Sequence, residues 1–512
     1  MSQTSVQPGN VELALRDFVA ELGSEAVLTD AEALAEFRDP FWVRGSADFD
    51  ASAMVMPRNV EEVQAVVRIA NEYQIPLWVF GQGRNNAYGG AAPRLPGSVL
   101  VNLRNMNRVL EVNEELAYAV VEPGVRFFDL YDALEECGGM LWASVPDLGW
   151  GSVVGNALEC GIGAMPLGDH ASNICSMEVV LPTGEIMRTG MGALTNSKVT
   201  HAYRHSFGPE VEGLFFQSSL GIVTSMGIRL MPRPERVLCG LIGFEGEQLV
   251  EPVIDIMRGL MLEGIVQGLP LLGQGIGMED DSKGVMDPSS GTWNVRFALY
   301  GREERVEADY RIVENAFSEV PGVRFSRYAF RGDDRASQDG NHDDRARCGI
   351  PDMDFWNMFK EFAYGEDTAH LDLSPVGPMV GRDVAETVEL IRSLYASSPL
   401  PYAWGVILQG RCVTYVTATV FNPTEEQQTR EVYRAYNERV VQLAKAGYPV
   451  YRTNIHHMDH VAEQYDFNDH IYRRFNETLK DALDPKGILQ PGKRGIWPAR
   501  LRESSRRVSP RF

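Results

Sequence analysis

Several class-defining features are missing from this chain. Its six cysteines (Cys137, Cys160, Cys175, Cys239, Cys348 and Cys412) are scattered and form no CxxC pair. This argues against a sulfur-ligated metal ribbon or a disulfide scaffold, and reads as reduced, mostly buried thiols of a cytoplasmic protein. The opening residues, MSQTSVQPGNVELALRDFV, hold no basic stretch followed by an apolar one, so no secretory signal is expected. No apolar run approaches the roughly 20 residues that span a bilayer, so no membrane partner is expected either. Cations are outnumbered, 48 Lys and Arg against 70 Asp and Glu, for a formal net charge of −22. Such a surface repels phosphate backbones, and nucleic-acid binding is not expected. GxGxxG opening a helix, GxxxxGK[ST] and HExxH are all absent. No internal repeat is evident.

What is present is an ordinary globular composition, 44% hydrophobic and 23% charged over 512 residues, enough for one to three domains with a large core. Residues 53–80 read as strand, helix, strand. Ala53–Met56 is apolar and ends at Pro57. Asn59 caps a helix with Glu62 three residues on, and Val60, Val63, Val67 and Ala70 recur at helical spacing. Pro76 stops that helix before the apolar strand Leu77–Phe80. A βαβ unit follows. The next segment, GQGRNNAYGG from Gly81 to Gly90, is rich in Gly and Asn. Its backbone can visit positive φ and present successive N–H groups, a nest for an anion such as a pyrophosphate. An isolated loop of this kind is more often a flexible turn.

Strands are expected at Val99–Leu103 and Tyr118–Glu122, then an amphipathic helix carrying Phe127, Leu130, Tyr131 and Leu134. A second Gly-rich stretch runs from Gly149 to Gly163. A hairpin is expected around Thr183-Gly184. Two strand-like stretches within Gln217–Pro234 end in a double-proline stop, which marks a first domain boundary. From 236 to 448 helix-like and strand-like pieces alternate, with Trp293–Gly301 and Cys412–Pro423 the clearest strands. Arg331–Arg347, polar and charged, reads as a mobile loop. The tail from Tyr451 returns to short motifs.

Taken together, PRNVEEVQAVVRIAN, GRNNAYGGAAPR, YAVVEPGV, PDLGWGSVVGNALECGIG, MEVVLPTGE, LFFQSSLGIVT, YRTN and DPKGILQPGKRGIWP resemble the vanillyl-alcohol oxidase and p-cresol methylhydroxylase family of flavoproteins. Their order and spacing carry the likeness over nearly the whole chain, with the bacterial eugenol-oxidase type nearest. The resemblance implies an α+β fold, with an FAD-binding domain of the p-cresol methylhydroxylase type and an α+β cap domain. Residues 1–235 and 449–512 would form the former and residues 236–448 the latter. It turns Gly83, Arg84, Asn85 and Asn86, with Gly155, Asn156, Gly221, Ile222 and Lys493, into FAD contacts.

The resemblance also implies a phenolate clamp of Tyr88, Tyr451 and Arg452. A phenol titrates near 10, so ionising it at pH 7 costs about 4 kcal/mol. One guanidinium at about 4 Å, at an effective dielectric near 20, returns roughly that amount before desolvation is counted. Two tyrosine hydroxyls donating to the same oxygen add charge-assisted hydrogen bonds. Without the resemblance, Tyr451-Arg452 would read as a strand end with a snorkelling Arg. Asp147 of PDLG matches the family's active-site aspartate, a base for water or alcohol, where a turn residue is the plainer reading. His370 matches the histidine that carries a covalent 8α bond to FAD in the oxidase branch.

Three departures stand out. No histidine precedes His170, although an upstream histidine assists flavin attachment in the fungal oxidase. Ala164 and Leu167 stand where relatives have aromatic residues, implying a roomier cavity. Asp372, two residues after His370 on the same strand face, is costly unless hydrogen bonded or solvated, and is expected to meet a polar substrate tail. His456, His457 and His460 lack the partners of a metal site and read as structural. The expected activity is oxidation of 4-alkylphenols or 4-hydroxybenzylic alcohols through a quinone methide, with O2 as acceptor giving H2O2, in a homodimer or larger homo-oligomer. Rivals are a dehydrogenase using a cytochrome or quinone, a redox-neutral flavin-dependent transferase, and a non-catalytic flavin-binding module.

Overall fold

The computed structural model describes residues 8–274 and 291–505 of the chain. Its first sheet has four strands in the order Val27–Leu28, Ala53–Val55, Val99–Asn102, Leu77–Phe80. Ala53–Val55 and Leu77–Phe80 both run parallel to Val99–Asn102, one on each side. The crossover between them is the helix Val60–Tyr73, whose first turn is capped by Asn59, with Glu62 N donating to Asn59 Oδ1 at 2.9 Å. The Glu62 carboxylate accepts from Arg58 N rather than from Asn59 N, so the capping box is shifted by one residue. Val63, Val66, Val67 and Ala70 turn onto Val55, Val99 and Val101 to form one core. The distal chain returns here. Leu77 N donates to Ile488 O, and Gln490 N donates to Leu77 O.

A second, antiparallel sheet has the order Val109–Asn113, Tyr118–Val121, Ile222–Arg229, Ile174–Val180, Ile186–Arg188. The helix Phe127–Glu136 buries Phe127, Leu130 and Leu134 against it. The hairpin around Thr183-Gly184 forms, with Gly184 at φ 88°.

The third sheet has eight strands. Seven lie in the order Arg324–Arg331, Arg236–Glu245, Thr292–Gly301, Leu271–Gln274, Tyr402–Leu408, Cys412–Phe421, Ala369–Leu373, and Val376–Pro378 also pairs with Cys412–Phe421. Period-two alternation decides what each face meets. On Arg236–Glu245, Leu238, Ile242 and Phe244 join a core with the helices Val250–Leu262, Glu303–Ala316 and Gly381–Tyr395. Val237 and Cys239 pack instead with Trp142 and Met165 of the preceding region. This sheet is therefore sandwiched between its own helices and the first half of the chain.

Arg331–Arg347 corrects the loop expectation. It contains the helices Arg335–Gln338 and His342–Arg347, with Gln338, Asp344 and Arg347 buried. Its charges satisfy one another and their neighbours. Arg347 lies 3.0 Å from Asp343, which also pairs with Arg296, and Arg335 reaches Glu135 at 2.7 Å. Despite its burial, Asp343 titrates well below the usual carboxylate range, because Arg347 and Arg296 outweigh the desolvation. The cysteines also differ in part. All six are free, but only Cys175, Cys239 and Cys348 are buried, and Cys137 is exposed. Among the described residues no helix is long and apolar enough to cross a membrane.

Candidate active site

The loop after Leu77–Phe80 turns sharply. Gly83 sits at φ 62° and Gly89 at φ 101°, and a short 3-10 turn spans Asn86–Tyr88. Tyr88, Gly89 and Gly90 donate their amides back to Asn85 and Asn86, closing the turn. Among the described residues no group accepts from the amides of Gly83, Arg84, Asn85 or Asn86. Arg84 and Asn85 are exposed, and Arg84 lies 5.8 Å from the Trp150 ring. Four successive free amides on a glycine-bearing bend form a nest for an anion.

The turn buries Tyr88 against the edge strand Ala369–Leu373, in a cluster with Phe41, Trp42, Tyr433, Tyr436 and Val450. Arg452 follows, its guanidinium carbon 4.3 Å from the Tyr88 ring centroid and 5.4 Å from that of Tyr451. The clamp residues are thus brought together. Arg452 Nε is buried and has no acceptor among the described residues. Burial raises the Tyr88 pKa far above its ordinary value, Arg452 opposes that rise, and Asp372 adds to it. Tyr88 is therefore a neutral hydroxyl at physiological pH, able to donate to an anion. Tyr451 is anchored through its backbone, with N to Ser374 O at 3.4 Å and O accepting from Gln217 Nε2 at 3.1 Å.

His370 lies within rings. Phe359 stacks at 4.6 Å, Phe41 lies at 5.1 Å and Trp356 at 5.9 Å. Its Nδ1 is 2.6 Å from Asp372 Oδ1, which supplies the hydrogen bond that a shielded carboxylate needs.

Asp147 pairs with a residue outside the clamp. Its carboxylate is 65% exposed, and its partner is His342, at 3.5 Å from Nε2. Desolvation alone would lower the His342 pKa. Asp147 and Asp352, the latter 2.8 Å from Nδ1, outweigh it and raise the value to about 10. Stepping rings link this pair to the strand Ala369–Leu373, His342 to Phe355 at 5.7 Å, Phe355 to Phe359 at 5.1 Å, and Phe359 to His370.

The remaining candidates have visible structural partners. Gly155 lies in the helix Val153–Leu158, and its N donates to Ser152 Oγ at 2.9 Å. Asn156 Oδ1 meets His170 Nδ1 at 2.6 Å, and burial depresses His170 to about 4, so the imidazole is neutral. A Cβ on Gly221 would sit 2.4 Å from Val179 Cγ1, and Ile222 is core. Lys493 Nζ pairs with Glu159 Oε1 at 2.8 Å, and Arg494 pairs with the other oxygen. Glu159, desolvated but facing two cations, is held down at about 2. Sequence reasoning missed Glu159, Arg494 and His342. The charged surroundings of His342 and Arg494 were a weak signal, and Glu159, the one charge between Asp147 and Asp169, had none beyond standing alone in an apolar, glycine-rich stretch. His457 and His460 bond to Asn437, and His456 approaches Asp39 at 3.5 Å. Among the described residues no cluster could hold a metal.

Comparison with known proteins decides the lineage. Residues 51–190 match the FAD binding domain family. The 4-cresol dehydrogenase [hydroxylating] flavoprotein subunit of Pseudomonas putida is 30% identical, covering 96% of both chains. The chain belongs to the p-cresol methylhydroxylase and vanillyl-alcohol oxidase family. Two solved members of this family overlay closely. The 4-ethylphenol oxidase from Gulosibacter chungangensis, in an isoeugenol complex, is 35% identical with a TM-score of 0.89, covering 98% of this chain and 100% of that one. Substrate-bound p-cresol methylhydroxylase is 28% identical with a TM-score of 0.88, covering 96% and 98%. The fold is that of this family, and the protein is an FAD-dependent oxidoreductase. The residues present fit the cofactor, since the unpaired amides from Gly83 to Asn86 await an anion such as its pyrophosphate.

Proposed function

We propose that the protein oxidises small para-substituted phenols, 4-alkylphenols or 4-hydroxybenzylic alcohols, and passes the electrons to O2 with release of H2O2. The observation that carries this reading is the half-buried Arg452, its guanidinium carbon 4.3 Å from the Tyr88 ring centroid and 5.4 Å from that of Tyr451, with a buried Nε that lacks an acceptor among the described residues. A cation shielded from part of its water without a counter-anion carries a cost, and a bound phenolate reduces it. Tyr88, kept neutral, donates to the phenolate oxygen, and Tyr451 is the second donor. Bound FAD supplies the hydride acceptor. Electron release from the phenolate oxygen expels hydride from the para substituent and leaves a quinone methide. Asp147 takes the proton of the water that adds to it, or of the alcohol substrate, with His342 as its neighbouring cation.

His370 carries the covalent 8α link, and Gly83, Arg84, Asn85, Asn86, Gly155, Asn156, Gly221, Ile222 and Lys493 surround the cofactor. Residues 1–235 and 449–512 make the FAD-binding domain and 236–448 the cap, in a cytoplasmic homodimer or larger homo-oligomer. A second reading, a dehydrogenase using a cytochrome or quinone, is favoured by the name of the 4-cresol dehydrogenase relative. Mixing the enzyme anaerobically with 4-ethylphenol and then admitting air separates the two. Bleaching of the flavin followed by stoichiometric peroxide supports the oxidase. Bleaching with reoxidation only by an added artificial acceptor supports the dehydrogenase. No bleaching removes both.

A further inference from the structure

His370 and Asp372 share one face of the edge strand Ala369–Leu373, and Asp372 Oδ1 lies 2.6 Å from His370 Nδ1. A carboxylate oxygen accepts from Nδ1, so Nδ1 carries a hydrogen, and in the neutral imidazole Nε2 holds the lone pair. Among the described residues nothing hydrogen bonds to Nε2. Phe41, Trp356 and Phe359 enclose the imidazole and limit its rotation. The arrangement is that of a base-held nucleophile, with orienter, fixed tautomer and free attacking nitrogen.

We propose that Asp372 is the positioning residue for covalent flavin attachment, holding the Nδ1 hydrogen so that Nε2 of His370 attacks the cofactor and then taking that proton. The proposal rests on the reading of His370 as the linked residue. The bond formed joins Nε2 to the carbon of the ring's 8α-methyl group, and one C–H bond of that methyl breaks. Two electrons pass to the isoalloxazine and from there to dioxygen, which becomes hydrogen peroxide. Of the two protons released, one leaves the methyl carbon and the other passes from Nδ1 to Asp372, so the linked imidazole stays neutral. This gives the chain an attachment partner within the strand itself, without a histidine ahead of His170.

The test follows attachment rather than turnover. Protein made in riboflavin-starved cells is mixed with FAD in air. Bound flavin is read by absorbance, and the covalent fraction by fluorescence of the acid-washed band after denaturing electrophoresis. Wild type should become fluorescent and His370→Ala should not. Asp372→Asn still accepts the Nδ1 hydrogen bond but cannot take the proton, and should attach flavin at least tenfold more slowly at equal occupancy. Asp372→Glu should recover most of the rate. Attachment in Asp372→Asn at the wild-type rate overturns the proposal and leaves the His370 reading standing. Failure of Asp372→Asn to bind FAD at all also overturns it, since the carboxylate would then be part of the cradle. A wild type holding FAD but giving a dark band, or a bright His370→Ala band, removes the His370 reading and the proposal with it.

Discussion

Lys480 is fully buried and Arg452 half-buried, and the two cations differ in how completely they are partnered. Lys480 Nζ lies 2.7 Å from Asp484 Oδ2 and donates to Ser219 O at 2.8 Å and Leu489 O at 2.5 Å. Asp484 in turn accepts from the amides of Ile488 and Leu489. Every group there is satisfied, and the knot ties the returning chain to the first sheet. Arg452 has the Tyr88 and Tyr451 rings beside it and, among the described residues, no carboxylate ion pair and no acceptor for Nε. The contrast separates structure from function. A closed set of partners holds the fold, and an open one holds a place for a ligand's charge.

Removing each cation should break this comparison most clearly. Arg452→Met should cut the second-order rate of anaerobic flavin reduction by 4-ethylphenol by about 10³, the equivalent of about 4 kcal/mol of phenolate stabilisation. Its melting temperature should stay about level, because the charge removed is half-buried and has no ion pair among the described residues. Lys480→Met should do the reverse, leaving buried Asp484 without its counter-charge at a cost of about 3–5 kcal/mol in unfolding free energy. The reduction rate of its folded, flavin-loaded fraction should be unchanged. Equal effects of both variants on rate would erase the distinction.

Glu159 sharpens the same point at smaller scale, since it neutralises Lys493 and Arg494 together. Glu159→Gln should lower stability by about 3 kcal/mol at neutral pH, read by denaturant unfolding. Its folded pKa, about 2, lies below the ordinary 4.5. The contribution is therefore full above 4.5 and lost as pH falls towards 2, so wild type and variant should converge in acid. His342 has the opposite sign. Its folded value, about 10, lies above the ordinary 6.5, so its contribution is full below 6.5 and lost as pH rises through 10. His342→Gln should flatten the fall in melting temperature between pH 8 and pH 10, an effect of about 1–2 kcal/mol after allowance for solvent at Asp147.

What was legible in the sequence follows from the range of the contacts involved. The Asn59 cap, the helix Val60–Tyr73 and the turn before Tyr88 are set by neighbours within a few residues, and their residue types announce them. YRTN and GRNNAYGG are likewise local, although only the spatial fold brings Arg452 over Tyr88. Arg331–Arg347 was misread because its charges look solvated in sequence, whereas Arg335 is bonded to Glu135, 200 positions away. Glu159 was passed over for the same reason, its partner Arg494 being 335 positions distant. Asp147 is a turn residue by type, and its pairing with His342 spans regions that no local pattern connects.

The most direct test of the central claim is the ultraviolet difference spectrum of a para-substituted phenol bound anaerobically to flavin-reduced enzyme at pH 7. The account predicts the red-shifted phenolate band with wild type and its loss in Arg452→Met at equal ligand occupancy. A wild-type complex holding the phenol in its protonated form would contradict it.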